Sequence, residues 1–517
     1  MTGIPAKKAD TGRFWEITAA LSLLLASLSL VLWAPGPGAD PDLWARVATG
    51  KLIVESGGVP VTDPFSYMPT RPKWIDHEWG SGLVFYAAAT AFGEKGLLAL
   101  KALLLFGTIW FMYRRASLAA DRPASLTFHV IMTAALMFGF ASTVRSQTFT
   151  FFLFAAWFHI LERAWRGDWR AAPLIPLTAI PWANLHGGFL AGIGLLIIFA
   201  GAAAIERRQP ARFAGLALAG GIGSLINPYG PSYWAYLVEA VGMDRPGVSE
   251  WTPMRLLGRD LYGHGFRVVL LLTIAALASH AWRRRRIELP TLLAISITLV
   301  LGLLARRHVT FFVITAVPFI WAWLAPQWQD ENEGRSRWLS RALVTLIGLG
   351  LVATLPWQIP ILRGYPADAV DFISARGLRG NLLIGFNTGS YAIWRLYPSI
   401  RVSLDGRYET VYPNETVEAV GHFFAGEPQW NRVLDAYPHD VVLVPRETAI
   451  ETLMRTRPDW KIAFVGADDL VFVKAEASLP AGPALAPRGE RSDPFATSGK
   501  PRFAPQATLQ PAPGGER

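Results

Sequence analysis

"FWEITAALSLLLASLSLVLWAPGPGADPDLWARVATG", residues 14 to 50, decides the fold class. The run from Phe14 to Trp33 is apolar over about the length that crosses a ~30 Å hydrocarbon core at ~1.5 Å per residue. Lys7, Lys8 and Arg13 precede it. A signal peptide has a shorter apolar core and a small-residue cleavage site, whereas this run ends in "WAPGPG". The spacing predicts an anchor with residues 1–13 in the cytoplasm, because basic residues stay on that side. Directly after it the chain places Asp40, Asp42 and Trp44 in a polar loop, residues 35 to 79.

Outward from this stretch the composition agrees. The 517 residues are 52% hydrophobic and only 17% charged, with a mean hydropathy of +0.29, too apolar for an ordinary soluble protein. Cysteine is absent, which excludes a disulfide framework, a thiolate metal site and a cysteine nucleophile. The net charge of +10 comes from arginine clusters at the ends of apolar blocks, so it reads as membrane topology and not as nucleic-acid binding.

A buried or interfacial segment near 80 to 92 is followed by a span near 96 to 113, ending at Arg114 and Arg115. Further spans are read near 124 to 142, 147 to 161, 173 to 185, 187 to 205, 213 to 226, 266 to 281, 290 to 305, 309 to 325 and 342 to 358. The run of arginines from Arg283 to Arg286 marks a cytoplasmic end, and the blocks sum to about eleven crossings. The expected fold is thus a polytopic α-helical membrane protein, residues 14–362, with a C-terminal soluble α/β domain, residues 363–474. In that domain "NLLIGF", "RVSL", "DVVLVP", "WKIAFV" and "LVFVK" read as strands, and "PADAVDFISARG" and "ETAIETLMRT" as helices. By span parity it lies outside the cytoplasm. Residues 475–517, rich in proline, glycine and alanine, read as a disordered tail. No Walker A, zinc-peptidase or G-x-S-x-G motif is present.

The candidate chemistry gathers at the outer ends. The first loop supplies Asp40, Asp42, Arg46 and Asp63, then "WIDHEWGS" with Trp74, Asp76, His77, Glu78 and Trp79. Carboxylates at a membrane surface suit general-base work, and Asp76, His77 and Glu78 suit a second acid or a divalent cation such as Mg or Mn. Equally, Asp42 could cap the helix that follows, and the tryptophans could form an interfacial belt. Arg145, Asn184, His186, Arg306, Arg307 and His308 also sit at outer span ends, where a cation either faces a partner or snorkels. Trp251 in "SEWTPM" is a sugar-stacking or belt residue. Asp405 and Arg407 in "SLDGRYETVYP" read as a structural turn or a site.

The stretches "DPDLWARVATGKLIVESGGVPVTDPFSY", "WIDHEWGS", "NLHGGF", "NPYG" and "GSYAIWRLYP…VSLDGRYETVYP" resemble a group of bacterial multi-span proteins similar to GT-C-type glycosyltransferases. The likeness covers most of residues 14 to 474. It implies a base in the first outer loop, which Asp42 or Asp40 matches in position, although Pro41 separates the two acids where the wider group often has an adjacent pair. It also implies a polyprenyl-phosphate-linked sugar donor held by basic residues, here Arg145, Arg306 and Arg307. Trp44, Trp74, Asn184, His186 and Trp251 would then face the sugar or the acceptor. No nucleotide cofactor is expected. The function so implied is sugar transfer to an envelope glycan, lipid or protein on the outer face of the bacterial cytoplasmic (inner) membrane, among membrane lipids and without nucleic acid. Two rival readings stand beside it: a transporter or lipid flippase, whose polar groups would lie at the midplane, and a non-catalytic envelope assembly protein.

The arginine pattern yields a test of topology. Reporter fusions at about residue 285 and after residue 474 are expected to give opposite signals, cytoplasmic for the first and external for the second. Equal signals would remove an odd crossing.

Overall fold

A computed structural model describes residues 6–33, 40–120, 144–243, 249–256, 261–324, 333–359, 365–481, 494–495 and 503. The span read near 124 to 142 lies outside these residues. The chain forms two compact units, Met1–Gly36 with Leu98–Gln358, and Pro37–Leu97 with Ile359–Arg517.

The first unit is helical. Among the described residues three helices are long and apolar enough to cross a membrane: Trp79–Ala120, Gly263–Trp282 and Arg306–Leu324. Shorter apolar helices include Glu16–Leu32, Phe189–Ile205, Leu289–Leu304 and Arg341–Thr354. The chain is a membrane protein. Leu346, Leu271 and Ile197 stand well exposed, as side chains that face lipid do. The Trp79–Ala120 helix bends at Gly93, with φ 59° and ψ −145°, a conformation that costs glycine little. The bend falls between the segment read near 80 to 92 and the span read near 96 to 113.

Within this unit the helices meet through small and polar residues. A Cβ on Gly348 would stand 2.9 Å from Leu25 Cβ, so the Glu333–Thr354 helix lies close against Ala6–Trp33. Ser29 donates to the Gly348 carbonyl at 3.1 Å, and the Ser22 and Thr345 hydroxyls are 2.8 Å apart. Such contacts replace the hydrophobic driving force that lipid removes. Arg115 is buried with Glu162, at 3.0 and 2.8 Å, and donates to the Ile314 carbonyl at 2.7 Å. Its guanidinium also lies over the Phe158 ring, so this inward charge is fully occupied.

The second unit holds a five-stranded sheet in the order β2-β1-β3-β5-β4. Its strands are β1 (Gly380–Leu383), β2 (Ile400–Val402), β3 (Val441–Pro445), β4 (Trp460–Val465) and β5 (Asp469–Lys474). β1 pairs in parallel with β2 and β3, and β5 runs antiparallel between β3 and β4. All five match stretches read as strands, and the helices Ala367–Ala375 and Ala449–Arg455 fall where helices were expected.

The sequence partition at residue 363 needs correction, because the loop after the first anchor is built into this sheet. Val402 N–H donates to the Phe65 carbonyl at 3.0 Å and Tyr67 N–H to the Val402 carbonyl at 3.3 Å, a parallel bridge that covers the edge of β2. Arg71 N–H donates to the Val411 carbonyl at 2.7 Å, and Tyr67 Oη lies 2.6 Å from His439 Nδ1. A loop without its own ladder finds its backbone partners on the sheet. Arg407 completes the join. Its side chain is fully buried between Asp405 and Asp63, with Nε and Nη2 on Asp405 at 2.8 and 2.7 Å and Nη1 on Asp63. Its guanidinium lies over the rings of Trp74 and Phe65, 4.8 and 4.9 Å from their centroids.

Of the tail read as disordered, residues 482–493, 496–502 and 504–517 lie outside the described residues, and two phenylalanines among the others are buried. Phe495 is wholly buried and stacks on Trp44 with ring centroids 4.3 Å apart, while Trp394 Nε1 donates to the Pro494 carbonyl at 2.8 Å. Phe503 is buried against Tyr397 and Phe65, and its N–H donates to Glu55 at 2.7 Å. Composition averaged over residues 475–517 hides these two anchors, each of which buries a large apolar side chain.

Helix Pro41–Ser56 crosses helix Trp79–Ala120 at a pair of glycines. A Cβ on Gly50 would sit 2.1 Å from the Gly82 carbonyl oxygen, and one on Gly82 would sit 2.7 Å from the Arg46 carbonyl oxygen. Because these obstacles are backbone, Gly50→Ala is expected to cost ~2 kcal/mol or more, read as a lowered melting temperature in detergent. Gly58→Ala, with open space around it, is expected to melt like the parent chain.

Candidate functional site

In the second unit the first-loop acids take distinct roles. Asp40, not Asp42, caps helix Pro41–Ser56: its Oδ1 accepts the Asp42 N–H at 3.0 Å, and Pro41 occupies a first-turn position whose missing N–H costs nothing. The expectation that Asp42 would cap is corrected, since a carboxylate caps the turn that starts after it. Asp42 stands in the first turn, half-buried. Its Oδ1 lies 2.7 Å from where a Cβ on Gly406 would be, so the glycine of "SLDGRY" leaves room for this carboxylate.

Arg46, one turn along, is buried and pairs with Asp76, and its Nε lies 3.4 Å from Glu78 Oε2. Burial disfavours its charge, but Asp76, Glu78 and Asp42 outweigh this and raise its pKa. Asp76 Oδ1 also accepts the Glu78 N–H at 3.0 Å. His77 Nε2 is 3.5 Å from Glu78. Among the described residues no group of three or more His, Asp or Glu side chains is placed to hold a metal ion. Asp76, His77 and Glu78 therefore do not form a divalent-cation ligand set in this arrangement, Asp76 being paired with Arg46. Trp44 and Trp74 are fully buried, Trp44 among Phe495, Tyr365 and Tyr391 and Trp74 beneath Arg407. Their ring faces meet protein, which takes both away from the sugar-stacking role expected of them.

The first unit carries a second cluster. Arg145 and Arg307 meet on one carboxylate, that of Glu250. Arg145 Nη1 is 2.8 Å from Oε2 and Nη2 3.5 Å from Oε1, and Arg307 Nη1 is 3.4 Å from Oε1. Burial pushes the Glu250 carboxyl up, but the two arginines overcome it and hold it below the usual carboxylate range. Trp251 lies over the Arg307 guanidinium, 4.3 Å away, and meets His308 edge-on. Arg306 N–H donates to the Thr252 carbonyl at 3.1 Å and Met254 N–H to the Leu303 carbonyl at 3.0 Å. These bonds tie the Ser249–Trp251 turn to the corner that carries the arginines.

His186 also bears on Glu250, favouring its charged form. Its Nδ1 accepts the Gly188 N–H at 2.9 Å and lies 2.9 Å from Thr150 Oγ1. Gly188 is required there, because a Cβ would stand 2.6 Å from His186 Nδ1. Asn184 serves the backbone: its Nδ2 donates to the Ile180 and Ile226 carbonyls, both at 2.8 Å, which holds the start of "NPYG". Glu250 was not singled out by sequence reasoning. The available signal was an acid beside Trp251 in a loop facing two buried-end arginines.

Solved structures share the fold of this chain. The archaeal oligosaccharyltransferase AglB of Archaeoglobus fulgidus, solved with an inhibitory peptide and a dolichol-phosphate, matches with a TM-score of 0.57 and 12% identity, over 84% of this chain and 70% of that one. ArnT of Cupriavidus metallidurans, bound to undecaprenyl phosphate, matches with a TM-score of 0.53 and 14% identity, over 90% of this chain and 99% of that one. The arabinofuranosyltransferase AftD from Mycobacteria gives 0.50 and 14%, over 89% of this chain but only 41% of that one. The chain has their fold. The GT-C resemblance read from the sequence is thereby shown at the level of fold. No protein-family model and no curated protein sequence matches the chain. The Archaeoglobus enzyme has also been solved in complex with Zn and sulfate.

The Arg46 pair gives a direct test of the first-loop geometry. Arg46→Ala leaves Asp76 buried without its cation, and breaking a buried pair costs about 3–5 kcal/mol. A fall in the melting temperature of the purified chain is expected, and a similar fall for Asp76→Ala. Unchanged melting in both would mean that this ion pair does not form.

Proposed function

We propose that the chain is a membrane glycosyltransferase that moves a sugar from a polyprenyl-phosphate donor to an envelope acceptor. The observation that carries this reading is the meeting of Arg145 and Arg307 on a single carboxylate. Two guanidiniums converging on one anion match the oxygens of a phosphate, which they would bind at short, charge-assisted hydrogen-bond distances. The shared fold supports it, since two of the three neighbours were solved with a lipid phosphate. None of the three is named as a transporter or a scaffold.

In this reading the acceptor hydroxyl oxygen attacks the anomeric carbon and forms a new C–O bond. The bond from that carbon to the donor phosphate oxygen breaks, and its electron pair stays on the phosphate. Arg145 and Arg307 neutralise the charge that develops there, with Arg306 adding positive charge at the same corner. The proton of the hydroxyl needs a carboxylate to accept it, the role expected of the first-loop acids. Asp40 Oδ1 is engaged in its cap, which favours Asp42 over Asp40 as the base. Trp251, which lies over the Arg307 guanidinium, and His186 would orient the sugar. The acceptor is an envelope glycan, lipid or protein. The chain would cross the bacterial inner membrane about eleven times, with residues 363–474 outside the cytoplasm.

The base is tested by conservative substitution. Asp42→Asn keeps size and removes the proton acceptor, so transfer is expected to fall ~10² or more with normal insertion and melting. Asp40→Asn, which caps about as well, is expected to keep transfer, while Asp40→Ala costs ~1 kcal/mol of stability. The readout is accumulation of polyprenyl-phosphate-linked sugar in the membranes of cells that carry each variant, by mass spectrometry of lipid extracts. Full turnover in Asp42→Asn would end the assignment of the base.

A further inference from the structure

The carboxylate between the two arginines has chemistry of its own. In sugar transfer from a polyprenyl phosphate, the donor is a phosphodiester with one negative charge. The product is a phosphomonoester, which carries roughly −1.5 to −2 at neutral pH. A pair of arginines therefore holds the product more tightly than the donor, and an enzyme built only to bind phosphate would be slowed by what it makes. The structure supplies a counterweight. Glu250 sits on a turn pinned by the Arg306–Thr252 and Met254–Leu303 backbone bonds, and it reaches Arg145 and Arg307 together. Being tethered, it meets them at an effective concentration in the millimolar range or above, which no free carboxylate in the medium matches.

We propose that Glu250 is a tethered release anion: it yields Arg145 and Arg307 to the donor phosphate and returns to them to expel the polyprenyl phosphate product. The inference rests on the reading of these arginines as a phosphate clamp, and it adds a specificity determinant to that clamp. Competition by a fixed carboxylate costs every anionic ligand alike, so only a ligand with a further source of binding energy, a lipid tail or a sugar, overcomes it. Free phosphate has neither. Trp251 stays on Arg307 through the exchange and keeps that guanidinium in place while its anion changes.

The experiment measures retention of labelled undecaprenyl phosphate by the full-length chain in nanodiscs. Glu250→Gln removes the charge at constant size and is expected to bind about tenfold tighter, a change of about 1.4 kcal/mol, with slower dissociation. Glu250→Ala is expected to do the same, which guards against the glutamine amide taking over the carboxylate's hydrogen bonds. Arg145→Ala and Arg307→Ala are expected to bind at least about tenfold more weakly. If the arginine variants bind normally, the clamp fails and the release anion with it. Should the arginine variants weaken while both Glu250 variants bind equally or more weakly than the parent, the clamp stands and the release anion is overturned, Glu250 then being a positioning residue. Inorganic phosphate is expected to displace the lipid only at far higher concentration; equal potency would make this a site for free phosphate and overturn the proposal.

Discussion

Arg407 has no exposed side-chain surface, and it stands between an aspartate from the first loop and an aspartate from the end of β2. A guanidinium taken out of water costs several kcal/mol unless charge and hydrogen bonds surround it, and here Asp63, Asp405 and the faces of Phe65 and Trp74 do so. Residues 63 to 74 cannot then leave the sheet without exposing a chain of unpaired groups. That constraint anchors the loop between helix Pro41–Ser56, which it follows directly, and the helix that starts at Trp79, into which it leads. The position of Asp42 on its helix, beside Gly406, follows from the same join. A side chain on a free loop would have to be ordered at every turnover; in its proposed role as base, Asp42 on a helix whose exit is bolted to a sheet is ordered once, in folding.

The membrane character and the strands were legible because each rests on a local signal. Apolar length marks a span, and alternating or continuous β-branched runs such as "DVVLVP" mark a strand. The bend at Gly93 was also legible as a gap between two apolar blocks. What escaped was long-range. No pattern in "VTDPFSYMP" announces that it will cover the edge of a strand more than three hundred residues away, so the partition into a membrane domain and a separate C-terminal domain followed chain order where the protein follows space. Phe495 and Phe503 escaped because a composition argument averages over a tail, whereas burial is decided residue by residue. Capping was misplaced by two positions. Asp40 and Asp42 both precede apolar helical sequence, and only the backbone shows that Pro41 already lies inside the helix.

The site was partly legible for a related reason. Arg145, Arg307, Trp251 and His186 stood out because charge and aromaticity at span ends are costly unless they are used. Glu250 did not, since an acid in a polar loop is ordinary. Yet the acid turns two separate cations into a unit: alone, Arg145 and Arg307 would repel, and each would turn to headgroups or water. Sharing one carboxylate in a half-buried turn, with a net positive charge left over, keeps both guanidiniums in place and aimed at one point. It also sets a threshold, because an anion enters only by doing better than a carboxylate that is already there. In the proposed clamp, an internal counter-ion would thus serve two ends that ordinarily conflict, order of the arginines and turnover of their ligand.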